Sequence, residues 1–302
     1  MTDISFDGRV AVVTGAGGGL GRTYAIDLAA RGCAVVVNDL GGSVDGKGGS
    51  DTAAQRVVDE IKAIGGEAVA NYDSVSTPEG GESIVAAAVG TFGKVDIVIN
   101  NAGILRDKSF LKLEWADLDA VLDVHLRGAF YVSQPAFRVM KENGYGRFIF
   151  TASNAGVFGN FGQTNYGAAK SGLVGLSNVL AVEGARAGIL SNVICPVAKT
   201  RMTEELLGDF AEHLAPELVT PMVVFLASEA CTFTHEVFSA AGGRYARIFT
   251  GLAPGWFAGA GAKPTAEDIL AHLPEIEEQS GYTVPTSVAD EITTLVERFA
   301  KG

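Results

Sequence analysis

The chain has 302 residues, a net charge of −12 at neutral pH and 47% hydrophobic residues. This length suits one large α/β domain with or without an appendage, and the hydrophobic content can bury a sizeable core. The acidic balance argues against a nucleic-acid partner, because phosphate binding needs clustered lysine and arginine. Three widely spaced cysteines, Cys33, Cys195 and Cys231, suit neither a disulfide framework nor a metal site.

Neither terminus matches a known targeting signal. The first nine residues, MTDISFDGR, lack the basic and apolar segments of a secretory signal peptide. No uncharged apolar stretch is long enough to span a bilayer, and the final Ala-Lys-Gly is not a peroxisomal signal. We therefore expect a cytoplasmic protein that has no membrane partner.

Short apolar, β-branched runs alternate along the chain with helical patterns. The runs that predict strands are residues 10–13, 34–38, 68–71, 95–99, 147–152 and 191–195, with 237–241 as a seventh candidate. The patterns that predict helices are residues 20–31, 50–64, 78–92, 115–141 and 165–187. Because the strands are apolar on both faces, we predict a doubly wound parallel sheet of about seven strands with helices on both faces.

Two segments depart from this alternation. Residues 41–50 (GGSVDGKGGS) are glycine-rich and polar, which indicates a loop inserted after the second strand. Near the C-terminus, prolines punctuate two polar helical stretches at residues 265–278 and 286–301. We predict a main domain over residues 1–253 and a helical extension over 254–302, which packs on the main domain or on a partner subunit. A loosely ordered tail is the alternative.

A glycine-rich turn follows the first predicted strand and opens the first helix, with the sequence Thr14-Gly-Ala-Gly-Gly-Gly-Leu-Gly21. Gly15 permits a sharp turn, whereas Gly19 and Gly21 let the backbone approach a pyrophosphate and let the helix pack on the sheet. The helix N-terminus, which includes Leu20, then offers free N–H groups to phosphates. The turn therefore predicts a dinucleotide site.

An acidic residue stands at the expected distance from this turn. Asp39 ends the second strand, where its carboxylate can accept hydrogen bonds from an adenosine ribose and would repel a 2′-phosphate. Leu40 rather than an arginine follows it, and Gly18 occupies a turn position where a cation could hold that phosphate. We therefore predict NAD rather than NADP. Asp39 could instead, or in addition, cap a turn into the inserted loop.

Polar and small residues also follow the third and fourth strands. Asp73 and Ser74 come where an adenine edge would lie, although turn chemistry explains them almost as well. Residues 100–103 (Asn-Asn-Ala-Gly) let the chain pass close to a cofactor. A structural role for Asn100 and a cofactor contact for Asn101 are both open.

Three residues in the second half of the chain predict acid–base chemistry. Tyr166 and Lys170 are four residues apart in a predicted helix and so share a face. A neighbouring ammonium favours phenolate and lowers the pKa of tyrosine from its ordinary value of about 10. Ser153 follows the fifth strand, where its hydroxyl can hold a substrate oxygen. Together they predict that Tyr166 removes a hydroxyl proton while hydride leaves the carbon for NAD.

In combination, these motifs resemble the short-chain dehydrogenases/reductases over residues 8–243, with Pro196 after the sixth strand as a further mark. The resemblance implies a Rossmann-type α/β fold, a homodimer or homotetramer and no metal site. The residues implied as catalytic are Ser153, Tyr166, Lys170 and His125. The residues implied to bind NAD are Gly15, Gly19, Leu20, Gly21, Asp39, Asp73, Ser74, Asn101, Ala102, Gly103, Tyr166, Lys170, Pro196, Val197 and Thr200.

Within that family, segments such as Val37-Asn-Asp-Leu-Gly-Gly42 and Val124-His-Leu-Arg-Gly128 resemble one branch. That branch is the (3R)-hydroxyacyl-CoA dehydrogenase unit of the peroxisomal type 2 multifunctional enzymes, also called 17β-hydroxysteroid dehydrogenase type 4. The helical extension resembles it more weakly, and a free-standing bacterial form is implied. His125 stands where the wider family has an asparagine. It could join a proton relay through its side chain or its carbonyl, or it could simply be a packed histidine.

The leading interpretation is an NAD-dependent enzyme that oxidises (3R)-3-hydroxyacyl-CoA in β-oxidation of fatty acyl or steroid side chains. The alternatives are a 17β-hydroxysteroid dehydrogenase, a 3-oxoacyl carrier-protein reductase and a dinucleotide-sensing regulator. Asp39 speaks against the reductase, which would use NADPH. Arg106, Lys108 and Lys112 could hold the phosphates of CoA or could be solvated surface. Residues 199–210 could form a mobile lid over the substrate.

Overall fold

The computed structural model describes residues 3–50, 52–199 and 212–301 of the chain. The chain divides into two units, Met1–Arg247 and Ile248–Gly302. Among the described residues, no helix combines the length and the apolarity that crossing a bilayer requires.

The larger unit is built on one eight-stranded sheet. Its strands are β1 Val10–Thr14, β2 Ala34–Asn38, β3 Ala68–Asn71, β4 Ile97–Asn100, β5 Gly146–Thr151, β6 Ile189–Val197, β7 Val237–Ala241 and β8 Arg244–Ile248. They lie in the order β3-β2-β1-β4-β5-β6-β7-β8, and the pairs from β3 to β7 are parallel. The strand order reverses between β1 and β4, which places a ligand crevice at their carboxyl ends.

All seven predicted strands are present, but the sequence pattern missed β8. This strand follows β7 after only Gly242 and Gly243, whose φ angles of 55° and 80° suit the tight turn of a two-residue hairpin. β8 is an edge strand, and its residues are exposed or half-buried. It therefore lacks the apolar pattern on both faces that identifies the buried parallel strands.

Helices cover both faces of this sheet. They are α1 Gly19–Ala30, α2 Thr52–Ala63, α3 Pro78–Phe92, α4 Trp115–Leu122, α5 Gly128–Asn143, α6 Asn154–Phe158, α7 Thr164–Gly184 and α8 Thr220–Ala227. α1 packs against α2 and α8, whereas α3 packs against α5. Between these layers, Val12, Ile99 and Ile149 of the central strands are fully buried. The predicted α/β fold with its Rossmann-type sheet is therefore confirmed.

The single helix predicted over residues 115–141 is wrong in one respect. α4 leads into a π-helical segment, Asp123–Arg127, and α5 begins only after it. The wider turn carries His125, whose side chain is buried. Segments of this kind are rare and occur frequently at functional sites, and apolar periodicity does not reveal them. The short helices α6 and α8 also went unpredicted.

The smaller unit contains the three C-terminal helices α9 Ala266–Ala271, α10 Leu273–Glu277 and α11 Val288–Lys301. A capping box opens α9. The Thr265 hydroxyl accepts from the N–H of Asp268, whose carboxylate accepts from the N–H of Thr265. Trp256 stacks on His272 with ring centroids 4.1 Å apart, which attaches the preceding loop to this helical segment. Packing of the extension on the main domain or on a partner stays a prediction.

Candidate active site

A cavity of about 430 Å³ opens where the chain leaves the carboxyl ends of the strands. Most of the predicted site residues line it. They are Gly15, Gly19, Leu20, Asp39, Asp73, Ser74, Asn101, Ala102, Gly103, His125, Ser153, Tyr166, Lys170 and Pro196. Gly21 and Val197 are not part of its wall, and Thr200 lies outside the described residues.

Gly21 has a packing role. A Cβ on Gly21 would lie 2.4 Å from the carbonyl oxygen of Gly15 and 2.6 Å from Nδ2 of Asn101. A Cβ on Gly15 would lie 2.7 Å from Cα of Ala102. Asn101 Nδ2 donates to the carbonyls of Thr14 and Gly15 at 3.0 and 3.1 Å. The glycines and Asn101 therefore join the turn after β1, the start of α1 and the end of β4.

The N-terminus of α1 faces the cavity. Its N-cap, Gly18, has no capping side chain, and a Cβ there would meet nothing within 4 Å. The first turn contains no acidic residue, so no carboxylate competes for the N–H groups. Because Gly18, Gly19 and Leu20 all line the cavity, the helix end offers these groups to an anion. This part of the site fits the phosphates of a dinucleotide.

Asp39 is held by two backbone N–H groups. Its Oδ2 accepts from Gly17 at 2.8 Å and its Oδ1 accepts from Gly41 at 2.7 Å. A Cβ on Gly17 would lie only 2.8 Å from the carboxylate carbon, so the turn and the carboxylate are in close contact. Asp39 therefore caps the turn into the inserted loop. Each oxygen keeps further acceptor capacity for hydroxyl donors.

The ends of β2 and β3 are joined by a polar network. Asn38 Nδ2 donates to Oδ1 of Asn71 at 2.8 Å and to the carbonyl of Asp73 at 2.9 Å. The Asp73 carboxylate accepts from Asn71 Nδ2 at 2.8 Å and from the Ser83 hydroxyl at 2.6 Å. These contacts show that Asp73 stabilises the turn after β3, which is the second of the two roles considered for it. Asn38 also lines the cavity, which the sequence pattern did not indicate.

The catalytic candidates come together on α6 and α7. Ser153 caps α6, and its Oγ accepts from the N–H of Ala155 at 3.1 Å. Lys170 Nζ donates to the carbonyl of Thr151 at the end of β5 and lies 5.5 Å from the centroid of the Tyr166 ring. Lys170 is 3% exposed. All three residues line the cavity.

Burial changes the pKa values of this pair. Desolvation raises the pKa of Tyr166 to about 12, and a hydrogen bond with Ser153 acts in the opposite direction. Desolvation lowers the pKa of Lys170 to about 7. The sequence predicted a lowered tyrosine pKa. The structure gives the opposite direction for the tyrosine, because burial disfavours the charged phenolate.

His125 reaches from the π-helical segment to the chain after β4. Its Nε2 lies 3.0 Å from the nitrogen and 2.8 Å from the oxygen of Ile104. Its Nδ1 is buried and has no hydrogen-bond partner among the described residues. Burial first, and then the nearby charge of Lys170, lower the pKa of His125 well below 6.5. The ring is therefore neutral at pH 7.

The sequence missed one wall of the cavity. Five residues in and beside the inserted loop line it: Leu40, Gly42, Ser43, Val44 and Gly46. The position of this loop directly after Asp39 was the available signal. Arg106, a candidate either for CoA binding or for solvated surface, is partly buried and has partners within the chain. It donates to the carbonyl of Asp45 at 2.9 Å and pairs with Asp117 at 3.3 Å.

The lid suggested over residues 199–210 lies outside the described residues beyond residue 199.

A doubly wound sheet with a glycine-rich turn, and with a tyrosine and a lysine at its carboxyl edge, defines an oxidoreductase of the dehydrogenase class. The family described as short chain dehydrogenase matches residues 9–209. A short-chain type dehydrogenase/reductase of Mycobacterium tuberculosis is 48% identical over 281 residues, which cover 91% of this chain and 96% of that protein. A hydroxyacyl-CoA dehydrogenase of the same organism is 40% identical, covering 76% of this chain and 75% of its own.

The peroxisomal multifunctional enzyme type 2 of Drosophila melanogaster is 53% identical over 241 residues, covering 80% of this chain and 40% of the enzyme. The solved full-length structure of that enzyme matches with a TM-score of 0.82 at 39% identity, and covers 99% of this chain. The match spans 50% of that structure's chain. The chain belongs to the short-chain dehydrogenase family. Members of this family typically use NAD or NADP.

Proposed function

We propose that this protein is an NAD-dependent (3R)-3-hydroxyacyl-CoA dehydrogenase, which oxidises the 3-hydroxyl group of the thioester to a ketone. The observation that carries the proposal is the convergence of two half-sites in one cavity. The N-terminus of α1 and Asp39 form one half, and Ser153, Tyr166 and Lys170 form the other. The relatives named for multifunctional β-oxidation enzymes and for hydroxyacyl-CoA dehydrogenation support the thioester as the substrate class.

The preference for NAD rests on Asp39. The carboxylate lines the cavity and is fixed by the N–H groups of Gly17 and Gly41, so it cannot turn away without leaving both donors unpaired. A 2′-phosphate beside it would place like charges together. At the neighbouring positions, Gly18 and Leu40 offer no cation to compensate. The same carboxylate suits the two hydroxyl groups of an unphosphorylated ribose.

The residues of the chain divide the chemistry between them. Ser153 donates to the substrate oxygen and holds the carbinol against Tyr166. Tyr166 accepts the hydroxyl proton as the phenolate, after its own proton has left to solvent. Burial raises the pKa of Tyr166 to about 12 and so opposes this first loss in the protein alone. Lys170, beside the ring, favours the phenolate whenever it is charged. When bound, the oxidised nicotinamide supplies the hydride acceptor and a positive charge.

His125 acts beside this pair as a positioning residue. Its contact with Ile104 holds the segment after β4 against the π-helical segment. Its Nδ1 is buried and has no partner among the described residues, so the ring acts through the contact of Nε2 with Ile104. A homodimer or homotetramer, and a cytoplasmic location, stay predictions. Sedimentation of the full chain would decide the first.

The test is the reduction of NAD, followed by NADH absorbance, with a panel of (3R)- and (3S)-3-hydroxyacyl-CoA thioesters of increasing bulk. NADP is measured in parallel, and estradiol and a 3-hydroxyacyl carrier protein are included. Turnover confined to (3R)-thioesters with NAD supports the proposal, and the best acyl chain defines the substrate. Turnover of estradiol alone, or of the carrier-protein substrate with NADP alone, would overturn it.

A further inference from the structure

We propose that Arg106 is a positioning residue for cofactor binding, because its side chain fixes the inserted loop, residues 41–50, as a wall of the dinucleotide cavity. This inference goes beyond the proposed function, and it rests on that function for the identity of the ligand. Arg106 does not line the cavity. Its effect on the cofactor must therefore pass through the loop.

The inserted loop is closed on itself at its base. The N–H of Ser50 donates to the carbonyl of Leu40 at 3.0 Å, and the N–H of Ser43 donates to the carbonyl of Lys47 at 2.9 Å. Between these bonds the loop is largely glycine and polar side chains. It has too little apolar surface to form a core of its own. Its position over the cavity must therefore come from contacts with another part of the chain.

Those contacts are with the segment that follows β4. The N–H of Leu105 donates to the carbonyl of Val44 at 3.0 Å. Nε of Arg106 donates to the next carbonyl, that of Asp45, at 2.9 Å. At Gly46 the backbone comes so close to Ile104 that an added Cβ would lie 3.2 Å from its Cδ1. The loop thus crosses from the end of β2 to the chain after β4 and closes one side of the cavity.

Arg106 is well placed to fix this crossing because its backbone is anchored separately. Its carbonyl accepts from Nδ2 of Asn165 at 2.9 Å, and Asn165 is fully buried beside Tyr166. Its guanidinium pairs with Asp117 on α4 at 3.3 Å, in a partly buried contact. The planar guanidinium serves Asp45 and Asp117 from two different nitrogens held in a fixed geometry, whereas the three donors of an ammonium share one nitrogen. Removal of the side chain takes away the bond to the Asp45 carbonyl and so loosens the loop, while the backbone anchor stays in place.

If the loop is already ordered in the free protein, cofactor binding costs less conformational entropy. If the loop were free, a dinucleotide would have to order it on binding, and the affinity would fall by that amount. The chemistry at Tyr166 would be unaffected once the site is full. The expected signature is therefore a weaker cofactor with an unchanged turnover at saturation.

The test compares R106Q and R106K with R31Q. Arg31 is a matched control because it also pairs with a carboxylate, Asp27, and donates to a carbonyl, that of Ile4, which lies outside the inserted loop. NADH binding is measured by fluorescence titration without substrate. The rate of trypsin cleavage after Lys47, the one basic residue of the loop, is measured on the same proteins.

We expect R106Q to weaken NADH binding by about tenfold, which corresponds to about 1.4 kcal/mol. Trypsin should cut R106Q faster after Lys47, R106K should be intermediate, and R31Q should match the wild type in both assays. Wild-type binding and cleavage in R106Q, or a loss of kcat with unchanged NADH binding, would overturn the inference. If the wild type bound no dinucleotide, the proposed function would fail, while the cleavage rates would still decide whether Arg106 fixes the loop.

Discussion

The imidazole of His125 stands perpendicular to the phenol ring of Tyr166, with ring centroids 5.2 Å apart and an interplanar angle of 89°. The two rings come from different elements, the π-helical segment and α7. A Cβ on Gly103 would lie 2.4 Å from Cε1 of His125, so the imidazole is enclosed on that side as well. The orientation of the tyrosine is therefore tied to the contact between His125 and Ile104.

Replacing His125 separates its packing role from its polar role. We expect H125A to lower kcat/KM and to destabilise the fold by about 2 kcal/mol, because a buried ring leaves a cavity. H125N should retain more activity than H125A, since an amide can still bond to the backbone of Ile104. The measurements are kcat/KM and urea unfolding. Equal activities for the two variants would show that packing alone explains His125.

Tyr166 provides the sharpest test of the proposed chemistry. Y166F removes the hydroxyl that exchanges the proton, so turnover should fall by about 100-fold or more. NADH affinity should stay near the wild-type value, because the ring and its packing remain. Stopped-flow or steady-state NADH formation measures the first effect, and fluorescence titration measures the second. If Y166F kept most of its turnover, Tyr166 would not be the proton acceptor.

Asp39 should control both cofactor choice and the shape of the turn. D39A removes the charge that disfavours a 2′-phosphate, so the ratio of kcat/KM for NAD over NADP should fall by about tenfold or more. It also leaves the N–H groups of Gly17 and Gly41 unpaired, at a cost of about 1–3 kcal/mol for each that stays buried. Thermal unfolding of D39A with and without NAD measures that cost. A variant with full NAD preference would contradict the assignment.

We expect the buried Lys170 to lower the free energy of unfolding by an amount that depends on pH. Its pKa in the folded protein, about 7, lies below the ordinary value of 10.5 because of burial. The unfolded chain then binds more protons between these values, so the free energy of unfolding rises with pH across this window. K170M lacks this dependence. It should be inactive but more stable than the wild type, by the largest margin near pH 7 and by little near pH 10.

The window above pH 7 matters for this comparison. His125 titrates below its ordinary value in the folded protein, so its own contribution to the pH dependence of stability is confined to lower pH. The buried cysteines, whose pKa values are raised by desolvation, also contribute between pH 7.5 and 9.5, but they are present in both proteins. The difference in urea unfolding between K170M and the wild type at these two pH values therefore reports on Lys170. A stability difference between K170M and the wild type that does not change over this range would show that the folded lysine keeps an ordinary pKa.

Much of this protein follows from local features of the chain. Apolar runs located β1 to β7, and the glycine turn located the start of α1. The spacing of Tyr166 and Lys170 placed both on one face of a helix, because four residues make about one turn. These features need only a few neighbouring residues. The topology rules for parallel sheets then brought the strand ends, and the residues after them, to one edge.

Other parts of the site depend on contacts between distant residues. Arg106 meets Asp45 across 61 positions of sequence, and Asn165 meets Arg106 across 59. The double cap on Asp39, the burial of Lys170 and the π-helical turn at His125 arise in the same way. Residue types and their spacing determined the fold and the candidate reactive groups. Only the tertiary structure decided the wall of the cavity and the pKa values, because packing between separate segments sets both desolvation and loop position.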